Sequence, residues 1–351
     1  MPTTFGARGK EPPKTQNALI LTLFRNNRPS VYIVLLVYTF ALRGLFLWHP
    51  VFEPPTMGAF LSPYILDWIA ANHISVLTLQ IIDILFIYVE AIILNFILTS
   101  SSIFIRSSFI PAMVFITLSS LFGEWILAST QTVAQFFLLI SMMNLFSFTG
   151  KEESREGVFY TSLFLSIGSL FYFPVALFLV VILVGLLMRS FSFADLMLAL
   201  IGFVVPYYFI GLGMYYAGGL DKYMYFLKAH FFLNSLPVID ISIMQGVALG
   251  YLLFLVIYGY FLLQSDREFK VVKHRRLVLI VMGYFILAAL AGPFITGSKL
   301  LYLQLIVLPA TIFVSKVFNM PRIRIWNHIL FLILFFSLAA FQLDYLNILH
   351  W

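Results

Sequence analysis

Apolar stretches, most of them about as long as a bilayer is thick, alternate with short polar turns along most of this chain. A helix needs about 20 apolar residues to cross the hydrocarbon core of a membrane. On that criterion the sequence predicts about eleven spans: 30–48, 76–98, 109–128, 130–148, 158–173, 174–188, 195–217, 242–264, 277–296, 300–317 and 326–346. The pattern therefore predicts an all-α fold, a polytopic bundle of transmembrane helices.

Two longer connections, 49–75 and 220–240, interrupt this pattern on the same predicted side of the membrane. Within the first, Pro63–Asn72 has the spacing of an amphipathic surface helix, with an aromatic and aliphatic face that can lie on a bilayer. In the second, Tyr223, Phe226, Leu227 and His230 fall on one face of a predicted surface helix.

Lysine and arginine lie almost entirely on one side of the predicted spans. With a cytoplasmic N-terminus, 17 of the 21 fall at cytoplasmic ends and loops: Arg8, Lys10, Lys14, Arg25, Arg28, Arg106, Lys151, Arg155, Arg189, Arg267, Lys270, Lys273, Arg275, Arg276, Lys316, Arg322 and Arg324. The other four are Arg43, Lys222, Lys228 and Lys299. Since positive charge is retained in cytoplasmic loops, we predict a cytoplasmic N-terminus, a periplasmic C-terminus and periplasmic loops at 49–75 and 220–240.

Composition excludes several classes of protein. The chain is 62% hydrophobic and 10% charged, whereas a soluble domain is about 25% charged. The net charge of +6 sets orientation and attracts anionic lipids, and no basic surface of the kind that binds nucleic acid is predicted. With no cysteine, disulfides and thiolate sites are excluded. The six histidines are scattered over both sides, so no metal site is predicted.

The predicted organisation is simple. Residues 1–29 form a polar, basic tail in which 17–28 can make a short interfacial helix, and 30–351 form a single membrane domain. Two local motifs predict helix geometry. Ser192 and Asp195 have the spacing of a capping box, and Gly246 and Gly250 have the GxxxG spacing of close helix packing.

Charged and polar residues inside predicted spans are the first candidates for chemistry. Asp83 and Glu90 lie on one face of a helix, two turns apart, and such acids are usually paired or functional. Arg43 is at a similar depth, so a structural Arg43–Asp83 ion pair is one alternative. For Glu90 the open alternatives are a protonated group, a hydrogen bond to Asn95 or another helix, and part of a proton path.

The periplasmic loops hold the second set of candidates. Glu53 or Asp67, at the outer membrane boundary, could act as the base that activates a sugar hydroxyl facing a lipid-linked donor. Lys222, Lys228 and His230 could bind the phosphate of such a donor, with Arg43 nearby. The alternatives are ordinary solvated acids, and lysines that balance lipid phosphates.

The middle of the chain resembles a known family. The segments Leu170-Phe-Tyr-Phe-Pro174, Arg189-Ser-Phe-Ser-Phe-Ala-Asp195 and Gly202-Phe-Val-Val-Pro-Tyr207 are similar to those of multi-pass inner-membrane proteins of unknown function from Bacteroidota. Members of that family are sometimes labelled beta-carotene monooxygenase. Carotenoid cleavage enzymes are β-propellers that hold iron with four histidines, and this chain is predicted to be helical without such a constellation.

The layout also resembles that of the GT-C class of membrane glycosyltransferases. That class has a cytoplasmic N-terminus, a long first outside loop with a catalytic acid and amphipathic helices, and another long loop after the seventh span. Glu53 and Asp67 are the acids that the resemblance implies. The chain departs from the class in having no paired acidic motif in the first loop and no appended soluble domain.

Three functions remain open from the sequence. The first is a GT-C-like glycosyltransferase that uses a polyprenyl-phosphate-linked sugar at the periplasmic face of the bacterial inner membrane. The second is a non-enzymatic membrane subunit of a larger envelope assembly, whose partners would be other membrane proteins. The third is a proton-coupled transporter that uses Asp83 and Glu90. The lipid bilayer is a partner in all three. No cofactor is predicted, and no residue pattern supports a divalent metal with a lipid-phosphate substrate.

Overall fold

A computed structural model describes most of the chain. It covers residues 21–25, 28–48, 60–101, 103–104, 108–126, 129–149, 155–188, 192–231, 242–265, 272–291, 301–319 and 324–345. Within these ranges the chain is all-α. Its helices are α1 (Leu21–Arg25), α2 (Ser30–Arg43), α3 (Leu45–Trp48), α4 (Ser62–Ala71), α5 (Val76–Ser100), α6 (Ile110–Ser119), α7 (Thr130–Thr149), α8 (Arg155–Phe171), α9 (Leu179–Leu187), α10 (Phe193–Tyr216), α11 (Leu220–Phe231), α12 (Ile243–Gln264), α13 (Val272–Ala291), α14 (Val307–Asn319) and α15 (Arg324–Tyr345). Turns of 3₁₀ helix occur at Gly123–Trp125, Phe173–Phe178 and Leu301–Ile306.

Five helical segments of the described chain are long and apolar enough to cross a membrane: Val76–Ser100, Phe193–Tyr216, Ile243–Gln264, Tyr302–Asn319 and Ile325–Tyr345. Each coincides with one of the predicted spans. The all-α prediction is confirmed for the described residues, and the chain has the helices of an integral membrane protein. The count of eleven spans and the orientation of the termini stay predictions.

The centre of the bundle is formed by α6 and α14, which pack against each other. All ten residues of α6 are buried, and Val307–Phe318 of α14 are buried as well. A helix that is apolar on every side can be buried completely among other helices. The hydroxyls of these helices are satisfied locally, since Thr117 and Thr311 each donate to the carbonyl four residues earlier.

A glycine sets the spacing of α12 and α14. A Cβ added at Gly259 would lie 2.0 Å from the carbonyl oxygen of Phe313, so the two backbones meet there without side chains between them. The sequence predicted close packing at Gly246 and Gly250, and that prediction is wrong for the described chain. Apart from the neighbouring backbone of α12 itself, no described atom lies within 4 Å of a Cβ at either position, because this end of α12 is on the surface of the bundle.

Helix α1 belongs to the basic N-terminal tail and packs against the bundle. Leu21 and Phe24 are buried in the core, while Leu23 is exposed, and the guanidinium of Arg25 donates to the carbonyl of Phe318 at 3.1 Å. This part of the predicted interfacial helix therefore packs on the bundle. The rest of 1–29, except 28 and 29, lies outside the described residues.

Candidate functional site

The short surface helix α4 lies at one end of the bundle, and the residues on either side fix where it begins and ends. The amphipathic spacing at 63–72 predicted this helix, and α4 confirms it. Pro63 occupies its first turn, where a missing N–H costs nothing. His73 then adopts a left-handed conformation with φ of +50°, which ends the helix. The hydroxyl of Ser75 accepts from the N–H of Thr78 at 3.2 Å and starts α5.

A cavity of about 350 Å³ lies between α4, α5 and α7 and is partly open to the outside. The face of α4 that carries Ile65 and Ile69 forms one wall, and Ile82 and Phe86 of α5 form another. Trp68 also borders the cavity, and 60% of its surface is exposed. Because α5 and α7 both begin here, the cavity lies at an end of the bundle. Its wall is almost entirely apolar, which suits a hydrocarbon chain.

Among the described residues that line this cavity, Asp83 is the one that can ionise. Its carboxylate accepts from the guanidinium of Arg43, with an Nη1–Oδ2 distance of 2.6 Å. Arg43 is fully buried and also donates to the carbonyl of Ser119 at 2.7 Å and to the hydroxyl of Ser120 at 3.1 Å. The amide of Gln342 donates to the carbonyl of Ser120 at 2.9 Å. The ion pair that the sequence offered as one alternative is thus part of the link between α2, α5, α6 and α15.

Glu90 and Asn95 continue the polar positions of α5 towards the middle of the bundle. Glu90 is fully buried, and neither of its carboxyl oxygens has a hydrogen-bond partner among the described residues. The carbonyl oxygen of the Asn95 side chain is also buried without such a partner. The hydrogen bond between Glu90 and Asn95, one alternative from the sequence, is therefore absent from the described structure.

The second predicted loop helix, α11, packs against the start of the first loop helix through an aromatic cluster. The ring of Phe60 lies 5.3 Å from that of Tyr223 and 5.1 Å from that of Phe226. The Tyr223 hydroxyl donates to the carbonyl of Tyr207 at 2.8 Å, and burial raises the pKa of this phenol. Tyr223, Phe226 and Leu227 face the cluster, as their spacing predicted. The two long loops therefore contribute helices to the same end of the bundle.

The candidate residues from the sequence are only partly brought together. Asp67 is exposed on α4 and is not part of the cavity wall, and Lys222 and Lys228 are exposed on α11. Glu53 and the side chain of His230 lie outside the described residues. Arg43 is bound to Asp83 inside the bundle. Among the described residues, no group of three or more histidines or acids has the arrangement of a metal site.

Two features of this site were missed in the sequence. Ser119 and Ser120, which hold Arg43, end the otherwise apolar helix α6; a pair of small polar residues at that position was the available signal. Phe60 joins α4 to α11 from a segment without helical periodicity, so its spacing gave no signal.

Comparisons with known proteins add no relative. No family model, no curated protein and no solved structure matches this chain.

Proposed function

We propose that this chain is an enzyme of the bacterial inner membrane that binds the apolar chain of a polyprenyl-phosphate-linked sugar in the cavity beneath α4 and transfers the sugar at the periplasmic face. The observation that carries the proposal is the cavity itself. It is apolar, it lies at an end of the bundle, and an amphipathic helix covers it. Ligand sites are concave and mostly apolar, with volumes of about 300–1,000 Å³.

The helices around the cavity support separate binding sites for the apolar chain and the polar head group of the substrate. One face of α4 borders the cavity, and Asp67 is exposed on the same helix. The neighbouring helix α11, joined to this end through Phe60, exposes Lys222 and Lys228. A lipid chain held under α4 would keep its phosphate and sugar near these polar groups. The cation pair would then bind the phosphate, as ammonium groups commonly do.

The reaction follows from these groups. The carboxylate of Asp67 or Glu53 accepts the proton of an acceptor hydroxyl. The oxygen of that hydroxyl forms a bond to the anomeric carbon of the sugar, and the bond from that carbon to the phosphate oxygen breaks. Polyprenyl phosphate leaves with the electron pair, and Lys222 and Lys228 balance its charge.

The binding step is tested by photolabelling the reconstituted full-length chain with a polyprenyl phosphate that carries a diazirine in its apolar part. Leu79 lines the cavity, and Leu77 on the same helix is exposed outside it. We expect Leu79→Trp to fill the cavity and abolish labelling of α4, α5 and α7, and Leu77→Trp to leave labelling unchanged. Equal labelling of both variants would overturn the proposal.

The catalytic step needs a separate test. Asp67→Asn, Glu53→Gln and Lys222→Ala/Lys228→Ala are compared for release of polyprenyl phosphate, with the exposed Glu156→Gln on α8 as the control. We expect at least one acid variant to lose about 100-fold or more in rate, the usual contribution of a general base. Full activity in every acid and lysine variant would contradict the assigned roles.

A further inference from the structure

The buried carboxyl of Glu90 is not used by the proposed transfer reaction, yet its placement is unusual for an acid. It lies on the same face of α5 as Gln80, Asp83 and Ile87, all of which are buried. Asp83 and Glu90 are seven residues apart, about 10 Å along the helix. The two acids therefore occupy one buried stripe, with Asp83 at the cavity and Glu90 two turns deeper.

The described surroundings of Glu90 offer it no cation of its own. Among the described elements, those that pack most extensively on α5 are α2, α3, α6 and α7, and α3, α6 and α7 contain no titratable residue. The titratable side chains on α5 and α2 besides Glu90 are Tyr32, Tyr38, Arg43, Asp83 and Tyr88.

Three of those side chains are already engaged elsewhere. Tyr38 hydrogen-bonds Thr117, Tyr88 donates to the carbonyl of Tyr32, and Arg43 is bound to Asp83. A carboxylate that is buried without a partner is strongly disfavoured, so the group holds a proton instead.

Glu90 is nevertheless within electrostatic range of the ion pair, since it lies two helical turns from Asp83 on the same buried face of α5, in an interior where charges are poorly screened. In the observed arrangement the guanidinium of Arg43 forms an ion pair with one carboxylate, that of Asp83. Loss of the proton from Glu90 would put a second negative charge beside the same guanidinium. The two acids would then compete for Arg43, and the hold of Arg43 on Asp83 at the cavity wall would weaken.

We propose that Glu90 is an intramembrane proton-binding site whose charge is coupled, through Arg43, to the Asp83 carboxylate in the wall of the cavity. By reciprocity, whatever changes the charge of Asp83 must also change proton binding at Glu90. Binding of a ligand that changes the charge of Asp83 would therefore be accompanied by uptake or release of a proton at Glu90. Only this last consequence rests on the proposed function. The proton site itself does not.

Infrared spectroscopy of the full-length protein in lipid, without added ligand, tests the proton site as a function of pH. We expect a carbonyl band of a buried protonated carboxyl at neutral pH. It should be lost in Glu90→Gln, a neutral side chain of nearly the same shape, and kept in the exposed Glu156→Gln. Spectra of the wild type and Glu90→Gln that are identical at neutral pH would overturn the proposal.

Coupling is tested by the pH midpoint at which this band disappears. Asp83→Asn removes a negative charge two helical turns from Glu90, so the midpoint should move to lower pH by about 1 unit, the effect of one charge at about 10 Å in an effective dielectric of about 20. Arg43→Met removes the positive charge and should move it to higher pH. A band that never titrates, or whose midpoint is the same in Asp83→Asn, would show a fixed neutral group and overturn the coupling.

The two proposals fail separately. Leu79→Trp, which fills the cavity, should leave the Glu90 band and its pH midpoint as they are in the wild type, whatever happens to lipid labelling. Failed labelling with an intact, titrating band would remove the proposed function and keep the proton site. Normal labelling without the band would do the reverse.

Discussion

The guanidinium of Arg43 and the carboxylate of Asp83 meet inside the bundle at 2.6 Å, although 40 positions separate them in the chain. Arg43 is fully buried, and Asp83 is 5% exposed. The pair fixes α2 against α5, and the further bonds of Arg43 to Ser119 and Ser120 fix both helices against the end of α6. Asp83 of this pair also forms part of the cavity wall, so the pair joins the packing of the bundle to the candidate site.

Breaking this pair from one side should destabilise the protein strongly. Arg43→Met leaves the Asp83 carboxylate buried without a partner, and we expect a loss of about 3–5 kcal/mol. Removing both charges in Arg43→Met/Asp83→Leu should recover most of that loss, since neither charge is then left unpaired. Denaturant titration in detergent measures both, with the exposed Arg28→Met as a control expected to stay within about 0.5 kcal/mol. A single variant as stable as the control would contradict the prediction.

The close approach at Gly259 should tolerate no side chain. Gly259→Ala forces a methyl group into the backbone of Phe313, and we expect a cost of about 1–3 kcal/mol from the overpacking. Gly250→Ala on the same helix meets open space and should be neutral, or stabilising by up to about 1 kcal/mol through helix propensity. Thermal unfolding of the two variants in detergent measures the difference. Equal stability would show that α12 and α14 are not in contact at this position.

The start of α12 should depend on a cap that α10 lacks. The Ser242 hydroxyl accepts from the N–H of Gln245 at 3.2 Å, and the Gln245 side chain accepts from the N–H of Ser242 at 3.0 Å. Ser242→Ala should destabilise this turn by about 0.5–2 kcal/mol, which amide exchange at Gln245 reports as faster exchange. Ser192→Ala, at a position without a side-chain cap, should leave the exchange of the first turn of α10 unchanged. Similar changes in both helices would argue against the cap.

The predicted orientation can be tested directly because the chain has no cysteine. In intact cells with a permeable outer membrane, a membrane-impermeant maleimide should label Asp67→Cys and Lys228→Cys. It should label Glu156→Cys and Arg275→Cys only after lysis. All four positions are exposed. The reverse labelling pattern would show that the orientation is opposite to the predicted one. Labelling of Asp67→Cys and Lys228→Cys from opposite sides would show that the two loops lie on different sides of the membrane.

Periodicity along single segments predicted much of the fold. The amphipathic spacing at 63–72 gave α4, and the spacing of Tyr223, Phe226 and Leu227 gave the packed face of α11. Both succeed because a helix places residues three or four apart on one face, so the residue types alone indicate which face is buried. The similar depth of Arg43 and Asp83 offered their ion pair as one alternative, since charges in an apolar interior are usually paired or functional.

Local motifs were less informative. The capping box predicted at Ser192 and Asp195 does not form, and Asp195 instead lies 3.7 Å from the guanidinium of Arg155. GxxxG at Gly246 and Gly250 marks an open surface, while the single Gly259 makes the close contact. In each case the motif shows only that the backbone can form the contact, and the positions of the neighbouring helices determine whether the contact forms.

The sequence by itself determined the helical class and the apolar segments long enough to cross a membrane. These properties depend on composition and on the order of residues along the chain, because each apolar segment partitions into a bilayer according to its own hydrophobicity. Only the tertiary structure decided that α6 and α14 lie at the centre, that Phe60 joins the two loop helices, and that α4, α5 and α7 enclose a cavity. Such contacts depend on shape complementarity between distant segments. Many apolar side chains of similar size satisfy the same hydropathy pattern, so the pattern alone does not specify which of them meet.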